Sequence, residues 1–472
     1  MIPVVEYAGQ TVAVFGLGAS GLSAARALKA GGARPILWDD GAASVERARD
    51  EGFDVVDITE RDWSDIAALL LAPGVPLTVK PHRVVELARL TDTPIIGDIE
   101  LFARALARLP RAERGRVIAI TGTNGKSTTT ALIGHILKGC GRDAQVGGNI
   151  GTPALDLAEP HSGAVYVLEL SSFQLDLTES LRPHLAVLLN ISDDHLDRHG
   201  DMAAYAGAKA RIFRNQTSAD HAVVGVDDPI GRALITELGG RAGGPTVVPI
   251  SSGRALGRGV HAVGGVLFDV LDARADEVAD LAAAPALVGR HNWQNAAAAY
   301  AATRLLGLEP GEIAEQILTF PGLRHRTEQI AHVRDVRFVN DSKATNPGSA
   351  RQALASYENI YWIAGGRSKG AGFADLAPLM PRVAKAYLIG EAAETIAAQL
   401  KGRVVAEICR DLETAVRRAA DDAARSRRAD PVVLLSPACA SFDQFANYEA
   451  RGDAFRDLAR ALPGAAVAGA AA

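Results

Sequence analysis

The stretch Ile120-Thr121-Gly122-Thr123-Asn124-Gly125-Lys126-Ser127 follows a β-branched run, Arg116 to Ile120, and opens a helical stretch, Thr128 to Lys138. A glycine turn between strand and helix, with a lysine and a hydroxyl at the helix start, directs backbone N–H groups, an ammonium and a Mg²⁺-binding hydroxyl at phosphates. The turn departs from the usual P-loop spacing: position 120, where a first glycine is expected, is Ile120, and the extra glycine is Gly122. A loop of this kind belongs to a parallel sheet covered by helices, so the chain is expected to be α/β. The remaining pattern agrees. Thr11 to Phe15, Val165 to Leu170, Ala186 to Asn190, Tyr361 to Ala364 and Val432 to Leu435 are short apolar runs separated by Ala/Leu-rich helical stretches.

A second glycine loop, Gly16-Leu17-Gly18-Ala19-Ser20-Gly21, lies between the strand TVAVF and the helical LSAARALKAG, and the next strand, PILW, runs into Asp39 and Asp40. That context is a dinucleotide fingerprint, in which a helix N-terminus meets a diphosphate. NAD(P) or FAD, another nucleotide diphosphate and a merely structural turn all fit the motif. The length of 472 residues, at about 150 residues per domain, gives roughly three domains. Breaks are expected near Arg104 to Gly115 and at Phe320-Pro321-Gly322-Leu323, dividing the chain into 1–104, 105–322 and 323–472. Gly239 to Pro285 is expected to form short strands and loops at the edge of the middle domain, and the stretch from Leu462 onward to be a frayed tail.

Composition removes several function classes. Fifty basic against 55 acidic residues leave a net charge of -5, which gives no field for a nucleic-acid backbone. Cys140, Cys409 and Cys439 are odd in number and widely spaced, which disfavours a disulfide framework and a thiolate metal site and suits a reducing cytoplasm. The amino terminus lacks the features of a signal peptide, and no apolar run reaches spanning length, so no membrane insertion is expected.

Acids and imidazoles gather at two strand ends. Glu169 closes the run Ala164 to Leu170, where it can reach a P-loop Mg²⁺ from the neighbouring strand. The segment Asn190-Ile191-Ser192-Asp193-Asp194-His195-Leu196-Asp197-Arg198-His199 follows another strand, at the edge where α/β ligand sites form. A second metal is plausible there through His195, whereas Asp193, Asp197 and His199 are expected in a solvated loop. On sequence alone Lys209 is a surface helix lysine.

Taken in order, TGTNGKS, ELSSFQL, NISDDHLDRHG, GRHNWQN, HRTE, NDSKATNP and SPACASFDQF resemble the Mur ligase family over nearly the whole chain. NDSKATNP and the closing SPACASFDQFANYEARG look like its D-glutamate-adding branch. The resemblance implies a Rossmann-like UDP-binding domain, a P-loop ATPase-type central domain and a Rossmann-like C-terminal domain. It implies ligation of D-Glu to UDP-MurNAc-L-Ala through an acyl phosphate, with ADP and phosphate released, in peptidoglycan precursor synthesis.

By the same resemblance Gly18, Ala19, Ser20, Asp39, Asp40, Gly74 and Asn149 would hold the UDP-sugar. Gly122, Thr123, Asn124, Gly125, Lys126, Ser127, Thr128, Asn292, Asn295, Arg326 and Asp341 would hold ATP, and contacts from two domains would imply closure. Two Mg²⁺ ions would be bound by Ser127, Glu169, His195 and Lys209, the last as a CO₂-derived carbamate; Lys126, Glu169, His195 and Lys209 would be catalytic. Lys343, Thr345, Lys369, Ser441 and Tyr448 would hold D-glutamate. Where relatives commonly carry an acid, the loop Gly366-Arg367-Ser368-Lys369 has Arg367, expected to be solvated. Partners would be these small molecules alone, the enzyme acting as a cytoplasmic monomer.

Two other classes compete. An NAD-dependent dehydrogenase with an added P-loop domain would perturb NADH fluorescence, and a nucleotide-binding regulatory protein would have no need of Glu169, His195 and Lys209 together. Among enzymes, folylpolyglutamate synthetase is a structural cousin that lacks the UDP-type first domain and NDSKATNP.

Overall fold

A computed structural model describes residues 1–272, 274–368, 370 and 372–467. Three sheets carry the chain. The first has the order β3-β2-β1-β4-β5, with β1 Thr11–Phe15, β2 Arg34–Trp38, β3 Asp54–Val55, β4 Ile66–Leu71 and β5 Ile95–Ile96. All four pairings are parallel. Strand order reverses between β1 and β4, so the turns after these two strands, Gly16 to Gly18 and Ala72 to Gly74, flank the crevice where ligands bind in open α/β sheets. A Cβ on Gly16, whose φ is +90°, would come within 2.6 Å of the Ala72 Cβ, and only glycine allows that approach.

The second sheet has nine strands in the order β14-β13-β12-β11-β10-β9-β6-β8-β7. They are β6 Arg116–Thr121, β7 Asp143–Gly148, β8 Ala164–Glu169, β9 Leu185–Leu188, β10 His221–Gly225, β11 Thr246–Ser251, β12 Gly259–Val263, β13 Val266–Val270 and β14 Asp276–Asp280. From β7 to β12 the pairing is parallel. Strands β11 to β14 form one edge, as expected for Gly239 to Pro285. Val117 to Ile120 and Ala186 to Leu188 are buried, which is why these strands read as continuous apolar runs.

These two sheets lie in one compact unit, residues 1–279 with 294–317. One apolar core runs through both: Val12, Val14 and Leu28 beside the first sheet, Phe102 and Leu106 of the helix Asp98–Ala107, and Ala119, Tyr166 and Leu168 of the second. Among the described residues no helix is long and apolar enough to cross a membrane.

The other unit, residues 280–293 with 318–472, is built on a seven-stranded sheet of order β19-β18-β17-β20-β16-β15-β21. Its strands are β15 Glu328–Val333, β16 Val336–Asn340, β17 Asn359–Gly365, β18 Val383–Ile389, β19 Ala406–Arg410, β20 Pro431–Leu435 and β21 Ala465–Val467. The carboxyl terminus corrects the sequence reading: Ala465 to Val467 is paired antiparallel with β15. Small residues without periodicity give no strand signal, but the open edge of β15 supplies hydrogen-bond partners for any extended backbone.

Candidate active site

Strand β6 lies between β8 and β9, so the loop after it, Gly122 to Gly125, opens at the carboxyl edge of the sheet's centre. The helix that follows spans Lys126–Gly139. The displaced glycine has a geometric cause. Ile120 is a fully buried strand residue, whereas Gly122 turns at φ +151° and Gly125 at φ +87°. A Cβ on Gly122 would press on Leu189 Cβ at 3.1 Å, and one on Gly125 would collide with Asn295 Oδ1.

Lys126 Nζ donates to Gly122 O at 2.9 Å and Thr123 O at 2.9 Å. Lys209, on the helix Met202–Ala210, is not the surface lysine its local sequence suggests. It is 1% exposed and its Nζ donates to Gly122 O at 2.8 Å. Burial first, and the Lys126 charge second, push the Lys209 amine well below the usual lysine range.

Glu169, at the end of β8, is 3% exposed. Its Oε1 accepts from Asn149 Nδ2 at 2.9 Å, while its Oε2 is buried without a hydrogen-bond partner. An orphaned carboxylate oxygen normally needs a proton donor or a cation. No three His, Cys, Asp or Glu side chains converge as a metal cage among the described residues. Mg²⁺ takes one or two carboxylates together with phosphate oxygens and water. Ser127, at the start of the P-loop helix, is buried.

The loop after β9 is tied to the P-loop by paired hydrogen bonds. Asn124 N donates to Asn190 Oδ1 at 2.9 Å, Asn190 Nδ2 to Asn124 O at 3.2 Å, and Ser192 N to Thr123 Oγ1 at 3.0 Å. His195 stands at φ +53°, half exposed, with its ring edge-on to Phe173. Asp193 and Asp197 are exposed as expected. His199 is not: it is 8% exposed, shares a 3.0 Å hydrogen bond with Ser172 Oγ and stacks on Phe173. The turn Leu196–His199 folds its ring inward, and burial lowers its pKa.

Sequence reasoning missed several braces. Asn190 also donates to Gln294 Oε1 at 3.0 Å, and Gln294 Nε2 donates to Asp227 Oδ2 at 3.2 Å. The Tyr205 hydroxyl shares a 3.2 Å hydrogen bond with Thr123 Oγ1, and its ring lies 4.8 Å from Lys209 Nζ. Asn190 and Gln294 sit inside motifs already noted; Tyr205 had no signal beyond its four-residue spacing from Lys209. Asn295 is 2% exposed and accepts from Thr129 Oγ1 at 3.2 Å, which seats it behind the P-loop helix. Asn292 is also buried, its Nδ2 donating to Val288 O.

At the first sheet, Gly18 precedes the helix Ala19–Ala30, and Gly18 and Ala19 are exposed at its open N-terminus. Asp39 is a brace: its carboxylate accepts from Leu17 N at 2.6 Å and Gly41 N at 2.8 Å. Asp40 faces His82 Nε2 at 3.1 Å.

In the second unit, Asp341 follows β16 and accepts from Ser436 Oγ at 2.7 Å and Thr327 N at 3.2 Å. Burial raises its carboxyl to about 7, partly offset by those donors and by Arg326. Lys343 Nζ lies 3.9 Å over the Tyr448 ring, so these two acceptor-site candidates meet. Ser441 is buried and Thr345 half-buried. Arg367 is paired on the surface with both oxygens of Glu391, at 2.9 and 3.1 Å. Lys369 lies outside the described residues.

Comparison with known proteins gives consistent matches. The Mur ligase middle domain matches residues 120–303, and the Mur ligase, glutamate ligase domain matches residues 325–439. UDP-N-acetylmuramoylalanine--D-glutamate ligase of Caulobacter sp. (strain K31) is 57% identical over 98% of both chains. The protein of the same name from Nitrobacter hamburgensis is 51% identical over 98% of this chain and 99% of its own. Among solved structures, the UDP-N-acetylmuramate-alanine ligase of Thermotoga maritima superposes with a TM-score of 0.59 at 20% identity, covering 95% of this chain and 98% of that one. This last likeness is one of fold.

Proposed function

The chain belongs to the Mur ligase family, and from that premise we propose that it joins D-glutamate to UDP-N-acetylmuramoyl-L-alanine, converting ATP to ADP and phosphate. The observation that carries this reading is the Lys126–Gly122–Lys209 cluster, with the orphaned Glu169 oxygen in its electrostatic reach. The relatives of that name, matched over 98% of the chain, support the choice of substrates.

A carboxylate is a poor electrophile. The substrate's alanyl carboxylate therefore takes the γ-phosphoryl of ATP, and the D-glutamate amine then displaces phosphate to form the amide. During phosphoryl transfer, charge gathers on the phosphoryl oxygens. Lys126 and the N–H groups at the start of its helix, Gly125 to Thr128, would meet it. Mg²⁺, when bound, neutralises charge on the phosphates. Ser127 and Glu169 would hold one ion, and His195 with Lys209 the other.

Lys209 suits that role as a carbamate. Burial that lowers the amine's pKa favours the free base, whose Nζ can add to the carbon of CO₂ and release a proton, leaving an anion. The residues of the first sheet's crevice, Gly18, Ala19, Ser20, Asp39, Asp40 and Gly74, are proposed for the UDP moiety and Asn149 for the sugar. Lys343, Thr345, Lys369, Ser441 and Tyr448 are proposed for D-glutamate. The functional divisions we propose are 1–104, 105–322 and 323–472, in a cytoplasmic monomer.

The test is an assay of ADP and phosphate release across a panel of amino acids, with UDP-MurNAc-L-Ala present. Turnover should require both that nucleotide and D-Glu. Products of AMP and pyrophosphate, or turnover with another amino acid in preference to D-Glu, would overturn the reading.

A further inference from the structure

Arg198 is shared between two loops that the reading above assigns to different substrates. Its Nη1 donates to Gly74 O at 2.8 Å, and its Nη2 donates to Pro73 O at 2.9 Å and also to Val75 O. The guanidinium carbon lies 4.7 Å over the Phe173 ring. Among the described residues it makes no ion pair with an Asp or Glu. A charged, fork-shaped donor is therefore committed to three successive carbonyls of one turn. Those carbonyls belong to the turn after β4, at the crevice of the first sheet.

The other end of Arg198 belongs to the ATP side. Its backbone N–H and that of His199 donate to His195 O at 3.0 and 3.1 Å, so the short turn Leu196–His199 moves with His195. Upstream, Ser192 and Thr123 are bonded in both directions, Ser192 N to Thr123 Oγ1 at 3.0 Å and Thr123 Oγ1 to Ser192 O at 3.2 Å. A continuous set of hydrogen bonds and short backbone segments thus runs from Thr123 of the P-loop, through Ser192 and His195, to Gly74.

We propose that Arg198 is a positioning residue that couples the two sites, so that a nucleotide on the P-loop tightens binding of the UDP moiety at the Gly74 turn, and the reverse. Phosphates that order Thr123 order the Ser192–His195 loop with it. Arg198 then holds the carbonyls of residues 73–75 in one arrangement before UDP arrives, which removes part of the ordering cost of the second ligand. The coupling is reciprocal by linkage. The inference rests on the assignment of UDP to the first sheet's crevice.

The experiment is a binding cycle by titration calorimetry on the full chain, with UDP and MgADP as probes, each measured alone and in the presence of the other. In the unaltered protein MgADP should tighten UDP about 5-fold or more, the usual lower range of coupling between sites. Arg198→Ala should weaken UDP and bring that ratio close to one, while MgADP alone binds within about two-fold of its normal affinity. Arg198→Lys, which keeps the charge and can reach one carbonyl, should restore part of the ratio. A merely structural role would weaken both ligands together and leave the ratio unchanged, which overturns the proposal, as does a ratio of one in the unaltered protein that binds both probes. Failure of the unaltered protein to bind UDP at all would instead overturn the crevice assignment, and the coupling with it. Should Arg198→Ala not fold, Phe173→Leu removes the platform under the guanidinium; an unchanged ratio in both Phe173→Leu and Arg198→Lys then counts against Arg198.

Discussion

Lys126 and Lys209 donate to the same carbonyl oxygen, that of Gly122, at 2.9 and 2.8 Å. Two ammonium groups on one acceptor repel, and burial first and the Lys126 charge second push the Lys209 amine well below the usual lysine range. In the proposed reaction the pair divides the work of the site: Lys126 would meet phosphate, and Lys209 would offer the amine that takes up CO₂.

A lysine whose pKa falls on folding binds fewer protons in the folded chain than in the unfolded one. Stability therefore rises with pH from the depressed value up to the unfolded value of about 10.4. Lys209→Met should raise the unfolding midpoint at pH 7 in CO₂-free buffer, with the gap closing toward pH 10. A gap that stays constant across that range would contradict a lowered Lys209 pKa. Lys209→Ala should be nearly inactive and regain some turnover when short carboxylic acids are added; if none restores it, the carbamate assignment fails.

Lys126→Ala removes the charge that meets the transferring phosphoryl group. Its kcat should fall by on the order of 10²-fold or more, with much smaller changes in the KM values. Near-normal turnover would refute the role.

Gly125→Ala should damage the P-loop twice over, through φ +87° and through collision with Asn295 Oδ1. The left-handed backbone alone costs an L-residue about 1–2 kcal/mol. Adding Asn295→Ala should recover part of the lost folding stability, read as the unfolding midpoint, because the collision is relieved while the strained backbone stays. Wild-type MgADP affinity in the single variant, by calorimetry, would show that the loop does not need glycine there.

The acceptor site should respond at Lys343 and not at Arg367. Losing a charged partner for a desolvated carboxylate typically costs roughly 2 to 5 kcal/mol, so Lys343→Ala should raise the KM for D-Glu far more than that for ATP. Arg367 is already paired with Glu391 on the surface, where solvent screens the pair, and Arg367→Ala should leave all three KM values normal. A D-Glu-selective defect in Arg367→Ala, or none in Lys343→Ala, would move the acceptor carboxylates to other residues.

Asp341 gives a stability signature of the opposite sign. Its carboxyl is raised to about 7 by burial, so its favourable contribution is complete below the unfolded value of about 3.9 and is lost as pH rises through about 7. Asp341→Asn keeps an oxygen to accept from Thr327 N, turns an amide N–H toward the Ser436 hydroxyl, and should flatten that part of the pH profile of the unfolding midpoint. An unchanged slope between pH 4 and 7 would mean that Asp341 is not the titrating group.

What the amino-acid order determined by itself was everything encoded in short windows. The β-branched runs, the glycines at Gly16 and Gly125 and the lysine at Lys126 fix strand, turn and helix over a dozen residues, so the α/β class and the P-loop were readable. So was the strand-end position of Glu169. The failures share one cause. Lys209 reads as a surface lysine, His199 as solvated and Ala465 to Val467 as a tail, because nothing in their neighbouring sequence reports what they pack against. Lys209 is buried by Thr121 and Gly122, His199 by Ser172 and Phe173, and the terminal strand is held by β15. Burial, desolvation and edge pairing are properties of what lies across space from a residue, and only the tertiary structure decides that.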